Sequence, residues 1–114
     1  MSSGPYLPQR GDLVWIDFDP QVGHEQAGRR PALVLSPGSY NRASRLALFC
    51  PVTRKVKGYA FEVAVTGTKR IGGVVLADQV KNLDWSKRNT TFIERSGPEL
   101  IEDVLAKLMT LTEY

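Results

Sequence analysis

Ser96-Gly97-Pro98-Glu99-Leu100-Ile101-Glu102-Asp103-Val104-Leu105 marks the point where the hydrophobic period of this chain changes. Beyond Pro98, the apolar residues Leu100, Ile101, Val104, Leu105, Leu108 and Leu111 recur at helical spacing and fall on one side of a helix. Ser96 and Glu99 have the spacing of a capping box, and a proline in the first turn suits a helix start. The stretch predicts one amphipathic C-terminal helix that needs an apolar surface to cover.

Upstream, the period is that of strands. Gly11-Asp12 opens the run Leu13 to Phe18, which Asp19-Pro20 ends because proline cannot continue a ladder. A polar loop from Pro20 to Arg29 leads into Ala32-Leu33-Val34-Leu35, apolar without alternation and so expected at the centre of a sheet. Pro37-Gly38 stops it. Tyr40 to Ser44 reads as a connector with at most a helical turn. Further strands are expected at 46–52, 60–65, 73–77 and 90–94, with 80–85 extending or following the fifth. Short strands followed by one helix predict a mainly β fold, a small barrel or curved sheet closed by the terminal helix. At 114 residues the chain is expected to be a single domain over 1–114.

Composition narrows the chemistry. A lone cysteine, Cys50, excludes an internal disulfide, and its apolar surroundings predict a buried, inert thiol. One Cys and one His cannot make up the usual zinc ligand set. Asp17 and Asp19 share a strand face that could hold magnesium, but pairing with arginine or water is the plainer expectation. No run is long and apolar enough for a membrane helix, and the first residues lack a secretory pattern, so a cytoplasmic protein is expected. Charge is unevenly placed. Residues 1–28 carry one basic and four acidic side chains, residues 29–88 twelve and three, and residues 89–114 two and five. A middle this basic fits a polyanion, although charge alone does not separate nucleic acid from an acidic protein.

Two segments carry candidate chemistry. Gly23 to Pro31 joins two apolar strands and holds His24, Glu25, Gln26, Arg29 and Arg30. Arg30 stands where the chain re-enters the sheet, and its planar fork suits a phosphate. Thr53 ends a core strand and is followed by Arg54, Lys55 and Lys57, again a phosphate-like setting. RNA can be cut without a metal, because its own 2′-hydroxyl attacks the phosphorus. The enzyme then has to move protons and stabilise charge on the phosphoryl oxygens.

These residues bring a family into view. GDLVWIDFDP from Gly11, GHEQAGRRPALVLSP from Gly23, Pro51-Val52-Thr53, KGYAFEV from Lys57 and VVLADQVK from Val74 closely resemble the MazF/PemK family of mRNA interferase toxins. The likeness runs through most of the chain and weakens in the last helix and around Arg42. It implies a small SH3-like (CcdB/PemK-like) β-barrel with a C-terminal α-helix, assembled as a homodimer. It also implies metal-independent, cofactor-free, sequence-specific cleavage of single-stranded RNA. A cognate MazE-like antitoxin would lay an acidic tail over the RNA site. The family's arginine, threonine and glutamate match Arg30, Thr53 and Glu25 as catalytic residues. Where the family pattern has a different residue before its arginine, this chain has Arg29.

Each candidate has a plainer reading. Arg30 could anchor the loop to Asp17 or Asp19; Thr53 could be a strand-end cap. Glu25 as a base would need a raised pKa, which neighbouring arginines oppose, so positioning suits it better. His24 titrates in a useful range but could be an idle loop histidine. Gln26 and Arg29 are expected to bind RNA, and Arg54, Lys55 and Lys57 to track its backbone. Gln79 either reads a base edge or holds Arg30. Phe18 or Trp15 could offer a stacking face, although strand aromatics are usually core. Two alternatives stand beside the ribonuclease: a CcdB-like toxin that binds a topoisomerase without catalysis, and a simple nucleic-acid-binding barrel.

Overall fold

The computed structural model describes residues 6–18 and 28–113. Within them lie seven strands: β1 (Asp12–Asp17), β2 (Arg29–Val34), β3 (Leu46–Thr53), β4 (Glu62–Ala64), β5 (Val74–Leu76), β6 (Lys81–Asp84) and β7 (Thr91–Arg95). Two α-helices accompany them, α1 (Gly38–Ser44) and α2 (Pro98–Met109). The fold is mainly β with a C-terminal helix, as the period change predicts. The strands occupy the expected apolar runs, with β4 and β5 shorter than their runs. The segment expected as a connector at Tyr40 to Ser44 lies within α1.

All pairings are antiparallel, in the order β4-β5-β3-β2-β1-β7. β6 pairs with Leu46 to Phe49 of β3, while β5 takes the last two residues of the same strand. The central strands are buried on both sides. Leu13, Leu33, Cys50, Val52 and Val75 pack with Leu100 and Val104 of α2. On the reverse side Val14, Ile16, Ala32, Val34, Ala47 and Phe49 form a second core, covered by Tyr6, Phe18, Leu83 and Trp85. A strand with two buried faces has no polar alternation. That is why Ala32 to Leu35 reads as an unbroken apolar run.

Helix α2 meets the first core with Leu100 and Val104, flanked by the partly buried Ile101, Leu105 and Leu108. It ends at Met109, so Leu111 falls outside it and is exposed. The expected capping box does not form. Gly97 takes the cap position without a side-chain bond, and Ser96 donates its hydroxyl to the Gly11 carbonyl at 2.8 Å. The Ser96 N–H bonds the same carbonyl at 2.9 Å. The buried start of β1 has claimed the residue that the local pattern assigned to the helix.

The strand order is open, with β4 and β7 at its ends. A carboxylate spans the gap. Glu94 of β7 accepts the backbone N–H groups of Lys69, Arg70 and Ile71, in the β4–β5 connection, at 3.0, 2.7 and 3.0 Å. The connection is also pinned at its far end. Gly73 has φ +104°, and a Cβ there would lie 2.2 Å from the Thr53 carbonyl oxygen, so only glycine lets the loop rest on the end of β3.

The Lys69 bond, with those of Arg70 and Ile71, holds the Glu94 carboxyl below its ordinary range. A lowered folded pKa contributes stability above the unfolded pKa, and that stability is lost as pH falls through the folded value. Thermal melts on an acid series test this. The wild-type chain is expected to lose its lead over Glu94→Gln as pH drops below the ordinary glutamate value of 4.5. Parallel acid slopes for the two proteins would show that the staple contributes nothing.

Candidate active site

Successive strand residues point to opposite sides, and this separates the two arginines that open β2. Arg29 faces Asp17 across the β1–β2 register and pairs with it at 3.3 Å. It also donates to the Asn89 carbonyl at 2.7 Å and the Thr91 hydroxyl at 3.0 Å. Arg29, expected on the RNA, is thus an anchor tying β2 to β1 and β7. The anchoring to Asp17 weighed for Arg30 falls to Arg29 instead. Arg30 is exposed, and the ion pairs among the described residues do not include it.

Arg30 and Thr53 line two grooves that share them. The larger, about 640 Å³, continues over Lys55, Lys57, Tyr59 and Gln79. The second continues over Trp15, Pro31, Arg54 and Arg70. A guanidinium and a hydroxyl therefore stand where two grooves meet, one lined by Arg54 and Arg70, the other by Lys55 and Lys57 together with Glu62 and Asp78. Thr53 is half-buried, and its Oγ1 accepts the Lys55 N–H at 3.1 Å. Among the described residues the Thr53 hydroxyl donates to no acceptor, so its proton is available to a ligand.

The walls are rigid for traceable reasons. Glu62 of β4 accepts the N–H groups of Lys57 and Gly58, both at 3.0 Å, and Gly58 turns with φ +77°. Tyr59 donates its hydroxyl to Asp78 Oδ2 at 2.6 Å. That contact, together with the Asp78 charge, raises the phenol above its usual range. The second Asp78 oxygen, Oδ1, is buried without a hydrogen-bond partner among the described residues. Lys107 of α2 donates to the Ala60 carbonyl at 2.7 Å and ties the helix to this wall.

The structure sorts the remaining candidates. Arg54, Lys55, Lys57 and Gln79 are exposed and line the grooves. Phe18 lies against the second core and lines neither, whereas Trp15 is 38% exposed on the second groove. The aromatic face of the second groove therefore belongs to Trp15, while Tyr59 lines the larger one. Catalytic candidate Glu25 and RNA-binding candidates His24 and Gln26 lie outside the described residues, as does Asp19. Sequence reasoning missed Tyr59, Glu62, Arg70 and Asp78. Asp78 precedes Gln79 in VVLADQVK, so that motif was the available signal. Tyr59 and Glu62 lie in KGYAFEV, which was their signal, whereas the Glu94 contact that fixes the Arg70 loop leaves no local pattern. Among the described residues no three His, Cys, Asp or Glu side chains gather to hold a metal ion.

Comparison with known proteins now decides the family. Residues 9–112 match the model of the PemK-like, MazF-like toxins of type II toxin–antitoxin systems. The chain belongs to that family. It is 48% identical over 106 residues to the endoribonuclease toxin MazF of Escherichia coli K12, covering 93% of this chain and 95% of that protein. The crystal structure of MazF from Deinococcus radiodurans superposes with a TM-score of 0.85 at 46% identity, covering 95% and 98% of the two chains. A MazE–MazF crystal structure from the same organism gives 0.83 at 41% identity, covering 95% and 97%.

The toxin's one thiol is apart from this site. Cys50 is fully buried in the first core, and burial, aided by the Asp78 charge, pushes its pKa up to about 12. An inert thiol follows. The folded protein is expected to resist iodoacetamide at about pH 8 and to label fully once unfolded in urea, as read by mass spectrometry. Rapid labelling of the folded protein would contradict the burial of Cys50.

Proposed function

We propose that this toxin is an endoribonuclease that cuts single-stranded RNA at a phosphodiester held between Arg30 and Thr53, using the substrate's own 2′-hydroxyl. The observation that carries this reading is the position of those two side chains where two grooves meet, with Arg54 and Arg70 along one and Lys55 and Lys57 along the other. The naming of the E. coli relative as an endoribonuclease supports it.

The 2′-hydroxyl gives up its proton to solvent as its oxygen attacks phosphorus and forms a cyclic 2′,3′-phosphate, the P–O5′ bond breaks, and the departing 5′-oxygen takes a proton from solvent. A guanidinium is a poor proton donor, so Arg30 serves to stabilise the negative phosphoryl oxygens. Thr53 turns its free hydroxyl proton toward the same oxygens. Arg54, Lys55 and Lys57 hold the flanking backbone, Gln79 meets a base edge, and Glu25, His24 and Gln26 complete the site from the β1–β2 loop. Because the nucleophile comes from the ribose, the step needs no metal ion.

Assembly and setting belong to the same proposal. The chain acts as one domain in a cytoplasmic homodimer. Its partner in the cell is a MazE-like antitoxin whose acidic segment matches the cationic grooves; the MazE–MazF complex from D. radiodurans supports such a pairing.

Purified protein incubated with mixed-sequence RNA and a chelator is expected to yield fragments with new 5′-hydroxyl ends, while all-DNA strands stay intact. Arg30→Ala should fold normally and lose about a hundredfold or more in rate, the usual cost of a missing charge donor. DNA cut as readily as RNA, or activity lost on chelation, would sink the mechanism. Intact RNA together with blocked supercoiling would favour the topoisomerase-binding alternative.

A further inference from the structure

We infer that Arg70 holds a phosphate of the RNA strand beside the one cut at Arg30 and Thr53, and that Glu94 is the residue that positions it. This rests on the ribonuclease reading of the Arg30–Thr53 site and extends it to a second subsite.

Three observations converge. First, Arg70 is exposed and lines the second groove together with Arg30, Thr53, Arg54 and Trp15. The ion pairs and side-chain hydrogen bonds of the described residues leave its guanidinium unengaged. Second, its backbone is not free to move. Glu94 grips the N–H groups of residues 69–71 from β7, and Arg70 supplies the shortest of the three bonds at 2.7 Å. Third, the same loop rests on the strand end that carries Thr53, where Gly73 leaves no room for a Cβ against the Thr53 carbonyl. Arg70 is thus held in a fixed relation to Thr53 from both sides. A surface arginine with a clamped main chain and an open fork is preorganised for a phosphate, because little backbone entropy is lost when it binds.

Trp15 indicates which part of the strand lies there. Its indole is the large exposed aromatic of the same groove. Bases of single-stranded RNA stack on such faces while cations track the backbone. The subsite therefore takes one nucleotide, with its base on Trp15 and its phosphate on Arg70. The Glu94 carboxylate does not touch RNA. It holds the loop through its three backbone bonds, and its charge lies within coulombic reach of the Arg70 guanidinium.

The test uses binding and turnover on the intact protein. The binding probe is a fluorescein-labelled DNA strand of mixed sequence, followed by anisotropy across a salt series. Arg70→Ala is expected to weaken binding about tenfold, as loss of one charge-assisted contact does. It should also flatten the logarithmic salt slope by about 0.7, the share of one phosphate on a single strand. Arg70→Lys should recover part of both. On mixed-sequence RNA the loss should fall on KM more than on kcat. Glu94→Ala should weaken binding in the wild-type background and add nothing in the Arg70→Ala background, since both act through one contact. If Glu94→Ala proves too unstable, Glu94→Gln takes its place in the cycle. Wild-type affinity and slope in Arg70→Ala would overturn the subsite, and multiplicative effects of the two changes would overturn the role of Glu94. The DNA arm stands apart from cleavage: a wild-type protein that binds DNA but leaves RNA whole sinks the ribonuclease reading and not this one.

Discussion

Two carboxylates on the sheet, each accepting backbone N–H groups from a neighbouring loop, are the constraint on which the site depends. Glu62 holds the loop of Lys57, and Glu94 holds the loop of Arg70. Both loops are rich in cations and would repel one another if left unanchored. A fixed negative group beneath each loop orders its main chain without occupying its side chains. The guanidinium and ammonium groups therefore remain available for a polyanion. Charge-assisted bonds of this kind are stronger than neutral ones, and here they act on backbone rather than on catalytic groups.

The same arrangement explains how an open strand order supports a closed wall. β4 and β7 are the ends of the pairing path, and Glu94 joins them through three N–H groups. An exposed strand edge is a hazard for any β protein. Here the carboxylate takes the loop's own N–H donors, and the held loop builds one side of a groove. Stability and recognition share a residue at that point.

Division of labour between adjacent residues recurs through the site. Arg29 and Arg30 differ in role because strand geometry turns them to opposite sides, one onto Asp17 and the other into the grooves. Trp15 and Phe18 part in a similar way, one exposed at a groove and the other against the second core. The Thr53 hydroxyl is shared as well, accepting from its own loop while keeping a proton to give.

The sequence by itself determined the strand runs and the C-terminal helix, and it singled out Arg30 and Thr53 as candidates that the fold brings to shared grooves. Hydrophobic period is local, and a motif of five pieces in order carries its own meaning. What only the tertiary structure decided was which of two neighbouring arginines faces the groove, which aromatic is exposed, and that Ser96 serves β1 instead of capping α2. It also brought forward Glu62, Arg70 and Glu94. Their partners lie four to twenty-five residues away along the chain. The Glu94 contact joins a strand to a loop twenty-four residues away at Arg70 and leaves no spacing to read, because folding alone sets the distance between them.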